Sequence, residues 1–552
     1  MKKRALLLLA GMLIVASLVG CGEDNISQST SVENSEEPIV NIDENKSEEL
    51  TEDELSSIQE KLNSNEYNGF LDQGFDSPEK IDWGKVFYNG AEIASTDIPD
   101  EEIQAAIDKL HWKQVYGDAS AITRKDMVDY IKSHTGMNTD AKDLGLDTDY
   151  TYLEEYDKYY LFRYDANYVP FKCVSGVKSD DMYQVTLQYD EESEETNKSV
   201  PNRTLTFINN DGVYEIHSNI IDFETGSDSE QSFEADLGAG GTVKVYTYQG
   251  HSESSRISLV KDGNSIDDII IGSDFGDDRW SMAKVNAIGF VDYNLDGYND
   301  MIVIGDVNNS PKVLIYPYNT DMDYYIYMPD ESLSSYVEDN ISNNTIADVK
   351  KCLLGEYQNS AKDWKAAYKQ IVRICDIQAE DYELSDMTYD LIDVDGDNML
   401  ELVTDNVGYG VSLYTYKDDH LVCLMNDWGY GAFGNYGYEY APGKNLLLNY
   451  NTDYAGALGK SYYMTIQDDE IVTAYWTYIY NFDDKNNNGE PDEDEYDYES
   501  DEMVEGKIEY FADDESLSEE QIKNKIAEFD GYTYEEITGT KTKDMMYQLL
   551  QY

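Results

Sequence analysis

The stretch "GFVDYNLDGYNDMIVIG", Gly289–Gly305, holds an acidic loop between two apolar runs. "AIGFV" leads in and "MIVIG" leads out, and both are rich in the β-branched and aromatic residues that favour strands. Between them Asp292, Asn294, Asp296 and Asp300 occupy positions 1, 3, 5 and 9 of the loop. Calcium takes roughly six to eight oxygen ligands, and a tight loop turns alternate side chains toward one point. Position 6 is Gly297, where a sharp turn requires positive φ. Position 7, Tyr298, offers its backbone carbonyl. Position 12 is Val303 rather than Glu, so this is not a complete EF-hand loop. The stretch therefore reads as strand, calcium loop, strand. The competing reading is a plain acidic turn, because Asp and Asn favour turns and the chain has 112 acidic residues.

The pattern recurs in "LIDVDGDNMLELVT", Leu391–Thr404. Asp393, Asp395, Asp397 and Glu401 fall at the same positions, with the Met399 carbonyl at position 7. Asn398 replaces the glycine at position 6, and Asn tolerates the left-handed region. A third candidate is "DKNNNGEPDEDE". Asp484, Asn486, Asn488, Gly489, Asp492 and Glu495 match positions 1, 3, 5, 6, 9 and 12 of an EF-hand loop, with the Glu490 carbonyl at position 7. Pro491 departs from the pattern, the flanks are strand-like, and an Asn-Gly hairpin turn explains the stretch almost as well.

The first two loops resemble the short DxDxDGxxD loop of FG-GAP and VCBS repeats. That resemblance implies structural Ca2+ held between paired strands. It also suggests that two parts of the chain reuse one strand–loop–strand unit, although no strict repeat period is visible.

Composition narrows the function classes. The 552 residues carry a net charge of −72, from 112 acidic and 40 basic residues. Such a chain repels nucleic acid and anionic lipid head groups and attracts divalent cations. Hydrophobic residues make up 41%, enough for real cores, and the 49 tyrosines against 14 phenylalanines favour half-buried strands.

Lys2, Lys3 and Arg4 precede an apolar run, Ala5–Val19, that is too short for a stable membrane span. It ends in Leu18-Val19-Gly20-Cys21, which resembles the lipobox of bacterial lipoproteins. The resemblance implies cleavage before Cys21, acylation of Cys21, and a chain anchored on the extracytoplasmic face of the cell membrane. Residues 22–53 are acidic, rich in Ser and Asn, and lack aromatics, so they read as a disordered tether. Four further cysteines, Cys173, Cys352, Cys375 and Cys423, allow three pairings that sequence cannot choose between. Cys352 and Cys375 lie on apolar helical faces and read as small buried hydrophobes. No CxxC occurs.

The expected fold class is α+β. Residues 54–180 are read as a helical α+β region, 181–345 as β-rich with the first loop, and 346–552 as a helical bridge and a β-rich end with the other two loops. The β regions suit an antiparallel meander, sandwich or propeller-like sheet. "TRKDMVDYIKSHTG" has Thr123 and Asp126 in cap spacing and a stop at Gly136. Ser518 and Gln521 announce a last helix, with Leu517 stapled to Ile522.

Catalytic patterns are weak. The five histidines form no HExxH, "GHSES" around Ser252 lacks the closing glycine of a nucleophile elbow, and "LGAGGT", Leu237–Thr242, reads as a hairpin turn. "WGYGAFGNYGYEY" places Tyr436, Tyr438 and Tyr440 on one side of a strand, as core or as sugar-facing rings. Longer phrases, "IDWGKVFYNGAEI", "YTYLEEYDKYYLFRYDANY" and "DWKAAYKQIV", resemble uncharacterised surface lipoproteins of Gram-positive, Clostridia-type bacteria. The reading is a cell-surface lipoprotein with structural calcium that acts as a binding module for a cell-wall, glycan or protein ligand. The rival is a surface hydrolase of glycans or peptides.

Overall fold

Val291 pairs with Asp300, and Ile392 pairs with Glu401, each in antiparallel register. Both acidic loops are thus hairpin connections. The computed structural model describes residues 47–551, apart from 111, 113–114, 116, 147–149, 164–167, 190–200, 251–253, 274–279, 309, 321–324, 361, 380–386, 433, 486–488, 490, 492–494, 496–506 and 513–514. The described residues fall in one unit, Ile42–Tyr552. Among them no helix is long and apolar enough to cross a membrane.

The strand Asp300–Val307 is the middle of a three-stranded sheet, between Lys284–Val291 and Ser310–Tyr316. Met301 and Val303 face a second sheet of five strands, Phe233–Asp236, Thr242–Tyr248, Ser255–Lys261, Asn264–Ser273 and Trp280–Ser281. The two sheets form a sandwich around Val245, Ile257, Leu259 and Ile271. Ile302 and Ile304 point the other way, against helices Glu331–Asn340 and Ile346–Leu354. Cover on both faces explains why "MIVIG" is continuously apolar rather than alternating.

The same plan recurs after residue 364. Glu401–Asn406 is an inner strand of a four-stranded sheet with Met387–Ile392, Gly410–Lys417 and His420–Gly429. Val403 faces a seven-stranded sheet built mainly from Asn435–Ala441, Leu446–Asp453, Leu458–Gln467 and Glu470–Tyr480. Leu402 faces helices Trp364–Ala379 and Lys543–Leu549. Helix Trp364–Ala379 serves both units. Tyr368, Ile371 and Val372 join the core beside the four-stranded sheet, whereas Ile374 and Ile377 join the core beneath the three-stranded one. Each such aliphatic side chain contributes about 1.5–3 kcal/mol when fully buried, so the helix holds the two units by packing on both sides.

The first part of the chain mixes helices with sheets. Helices Glu52–Leu62, Trp83–Tyr88, Asp100–Leu110 and Arg124–Thr135 are present, but they pack on sheets. One sheet is formed by Asp118–Thr123, Lys158–Arg163 and Thr151–Leu153. The other runs Glu48–Glu49, Phe171–Ser179, Met182–Tyr189, Asn202–Asn210 and Val213–Asp222. Its hairpin turn lies at Asp180–Asp181, the position read as a boundary, and a single core extends from Leu50 to Ile216. The α+β class with antiparallel sheets stands, and the helices of this end share a core with the five-stranded sheet. The capped helices end as expected: Asp126 N–H donates to Thr123 Oγ1 at 3.0 Å, Gly136 closes its helix at φ +73°, and Gln521 Oε1 accepts from Ser518 N–H at 2.7 Å.

Candidate metal loops

In the first loop Tyr293 N–H and Tyr318 N–H each donate to Asp300, both at 3.0 Å. Gly297 N–H donates to Asp292 Oδ2 at 3.2 Å, and Tyr298 N–H to Asp296 Oδ1 at 2.8 Å. Asn294 turns its amide to Asp296 Oδ2 at 2.8 Å. The second loop repeats the bonds made from positions 2 and 7, and closes on its first aspartate from position 4 rather than position 6. Val394 N–H donates to Glu401 Oε2 at 2.8 Å, Gly396 N–H to Asp393 Oδ1 at 2.8 Å, and Met399 N–H to Asp397 Oδ1 at 2.7 Å. Positions 4 and 6 have positive φ in both loops: Leu295 (+62°) and Gly297 (+86°), then Gly396 (+80°) and Asn398 (+78°). The two loops share one backbone shape and place their glycine at opposite corners.

Leu295 is the exception. A leucine in the left-handed region costs about 1–2 kcal/mol. Its side chain packs against the core of helix Trp364–Ala379 and the four-stranded sheet, which offsets that cost.

Each loop is clamped by a turn from the sheet opposite. Ala239 N–H donates to Gly297 O at 2.9 Å, and Asn299 N–H donates back to Leu237 O at 3.1 Å. Gly443 N–H donates to Asp393 O, and Asn445 N–H to Val394 O, both at 2.9 Å. The shared helix adds one bond to each loop. Gln370 Nε2 donates to Tyr293 O at 2.8 Å, and the Tyr368 hydroxyl donates to Leu400 O at 2.7 Å. The "LGAGGT" turn was legible as a hairpin; its part in holding a loop some 60 residues away was not. Gln370 and Tyr368 carried no signal of this role.

The carboxylates differ between the loops. Oxygens bound to one calcium at about 2.4 Å lie within about 4.8 Å of each other. Among the described residues, Asp393, Asp395 and Glu401 are the one group of three whose ligand atoms meet that limit. In the first loop Asp292, Asp296 and Asp300 do not converge as closely, and Asp292 Oδ1 is buried without a hydrogen-bond partner. Burial, then the charge of Asp296, pushes Asp292 up to about 6. Burial also raises Asp296 and, strongly, Asp300. In the second loop burial lifts Glu401 to about 7, with Asp395 and Asp397 adding repulsion, and Asp395 is raised as well. An orphaned carboxylate oxygen in one loop and three converging oxygens in the other fit a bound cation, which would relieve both burial and repulsion.

The third loop is described only in part. Gly489 N–H donates to Asp484 Oδ2 at 3.0 Å, and Lys485 N–H to Glu495 Oε1 at 2.8 Å. Asn486, Asn488, Glu490 and Asp492 lie outside the described residues, as do Cys21 and Ser252. Cys173, Cys352, Cys375 and Cys423 form no disulfide with one another, and burial pushes Cys375 up to about 11. His134 is a core residue: its Nδ1–H donates to Tyr130 O at 2.9 Å and Nε2 lies 3.1 Å from Glu66 Oε1. The expected row of three tyrosines is broken. A register shift between Asn435 and Tyr438, with Gly437 at φ +105°, turns Tyr436 outward to stack on Tyr450, while Tyr438 and Tyr440 join the core.

No protein-family model matches the chain, and no curated protein matches it. Among solved structures it is similar to a crystal structure of a protein from Lactobacillus plantarum, at 7% identity over 60% of this chain and 86% of that one, with a TM-score of 0.11. At that score the likeness carries no argument about fold or function.

Proposed function

We propose that this chain is a lipid-anchored protein of the extracytoplasmic cell surface that holds two structural calcium ions and acts as a binding module. The observation that carries the calcium reading is the convergence of Asp393, Asp395 and Glu401 within 4.8 Å, in a loop whose backbone bonds recur at Asp292–Asp300. In the first loop Asp292, Asn294, Asp296 and Asp300 would hold the ion; in the second, Asp393, Asp395, Asp397 and Glu401. The ion supplies positive charge where buried carboxylates otherwise repel one another.

Calcium in this reading is structural. Each loop lies at a corner where a hairpin, an opposing turn and the shared helix meet, so filling it stiffens three elements at once. The anchor rests on the lipobox-like ending at Cys21; the acidic stretch after it, expected as a tether to residue 53, stops short of that, because Glu48–Glu49 pairs with Phe171–Ser179, Leu50 is buried and Thr51 caps helix Glu52–Leu62. The net charge of −72 argues against nucleic acid as the partner.

Isothermal titration of the full chain with calcium tests this directly. Expected are two sites of about 0.1–1 mM affinity, in the range of extracellular modules. Asp292→Ala and Asp393→Ala should each remove one site, and magnesium should not replace the lost heat. Absence of saturable calcium binding at about 5 mM, well above that range, would contradict the reading.

A further inference from the structure

Six of the chain's 40 Lys and Arg residues fall within Lys350–Arg373, against two carboxylates, Glu356 and Asp363. In a chain of net charge −72 this segment reverses the sign. Three of the six, Lys351, Lys369 and Arg373, line one cleft of about 810 Å³ bordered by helices Glu331–Asn340, Ile346–Leu354 and Trp364–Ala379.

These cations are not spent on neighbouring acids. Arg373 gives Nη1 to Leu353 O at 2.7 Å and Nη2 to Cys352 O at 2.6 Å, and its guanidinium lies 5.7 Å from the centre of the Tyr336 ring. Two neutral carbonyls fix its position and leave its charge uncompensated. Among the described residues, the side chains of Lys351 and Lys369 make no ion pair or hydrogen bond. Other cations of the chain do have carboxylate partners, as Lys158 has Glu102 and Lys178 has Glu54. Two carboxylates also line the cleft. Asp348 is engaged as a helix cap by Thr345 Oγ1 at 3.1 Å and Asn343 Nδ2 at 3.3 Å, and Glu356 is exposed. Tyr336, Tyr357 and Tyr547 supply ring surface, and Asn340, Gln358 and Gln551 supply amides.

We propose that this cleft binds a small organic anion, a carboxylate or phosphate carried on a hydroxylated body, as in a sugar acid or a sugar phosphate. Cations without carboxylate partners give charge-assisted hydrogen bonds to the anionic group. Tyrosine rings and amides address a body that is part apolar and part hydroxyl. The ligand is compact rather than polymeric for an electrostatic reason. A long polyanion must lie along the acidic surface beyond the cleft, whereas a small anion inside it is screened from distant charges, which fade over about 8–10 Å in salt. This inference rests on the binding-module part of the reading above and is independent of its calcium part.

The test is isothermal titration of the full chain with glucuronate and with glucose 6-phosphate, with glucose as the neutral match. Both acids, or one of them, should bind saturably and at least about 10-fold more tightly than glucose, a difference of one logarithmic step in the dissociation constant. The double variant Lys351→Gln, Lys369→Gln should weaken the acid by about 10-fold or more. Glu356→Gln, which removes a like charge, should strengthen it by about threefold. Glucose binding as tightly as the acids, an unchanged constant in the double variant, or no saturable heat with either acid would overturn the proposal. Calcium stoichiometry measured on the same samples separates this outcome from failure of the calcium reading.

Discussion

Gln370 donates its side-chain amide to the carbonyl oxygen of Tyr293 at 2.8 Å, joining a buried helix position to the second residue of the first acidic loop. The same amide reaches Leu353 O at 2.9 Å, at the end of another helix. Two residues earlier Tyr368 bonds Leu400 O in the second loop. A single helix therefore touches both candidate ion sites through neighbouring side chains. Its packing on two cores makes it the rigid part shared between them.

Gln370→Met keeps the volume and removes both bonds. Leu353 O retains Arg373 as a donor, but Tyr293 O loses the one from Gln370. Leaving a buried carbonyl unpaired costs about 1–3 kcal/mol. Tyr368→Phe should cost less, because Leu400 is 38% exposed and water can reach its carbonyl. Chemical denaturation of both variants without calcium should rank Gln370→Met as the more destabilising.

The buried loop acids give a pH dependence with a defined sign. Burial holds Asp292 at about 6 and Glu401 at about 7, above an unfolded carboxyl at about 4. Between those values the folded chain binds more protons than the unfolded one, so these groups favour folding at low pH. That contribution is lost as pH rises through about 6–7. In calcium-free buffer the melting temperature of Glu401→Gln should therefore fall less than that of the parent between pH 5 and pH 8. Calcium, which needs the deprotonated acids, should add little at pH 5 and most at pH 8. Parallel pH profiles for parent and variant would show that Glu401 does not titrate in this window.

Cys21→Ser should leave the precursor uncut or release the chain from the membrane fraction. Fractionation of cells expressing each form, with detection in pellet and medium, checks this. A serine variant that stays with membranes like the parent would contradict lipid anchoring at Cys21.

Much of this fold is written locally. Thr123 with Asp126, and Ser518 with Gln521, carry their cap bonds within four residues, so the helix starts were legible. The two acidic loops were legible for the same reason, since spacing alone puts their oxygens in one turn. What was hidden depends on distant partners. Leu295 gives no sign of positive φ, because a core formed by helix Trp364–Ala379 and the four-stranded sheet holds it there. The strand Phe171–Ser179 mixes Lys, Ser and Gly with its apolar residues and shows no clear alternation, so the sheet it shares with Met182–Tyr189 was split at their turn. Nor could spacing show that the second loop draws its acids closer together than the first, because that depends on how Glu401 is held by Val394 N–H and Thr415 Oγ1.

The most direct measurement is thermal melting of the parent, Asp292→Ala and Asp393→Ala against calcium at constant ionic strength. Magnesium and sodium serve as controls for simple screening of the −72 charge. A site of about 0.1 mM affinity contributes about 1.4 kcal/mol at about 1 mM calcium if only the folded state binds, and two sites about 3 kcal/mol. The parent should melt several degrees higher with calcium than with magnesium, and each variant should lose part of that gain. If calcium and magnesium shift the parent equally, or both variants keep the full parental shift, the loops are acidic turns and not ion sites.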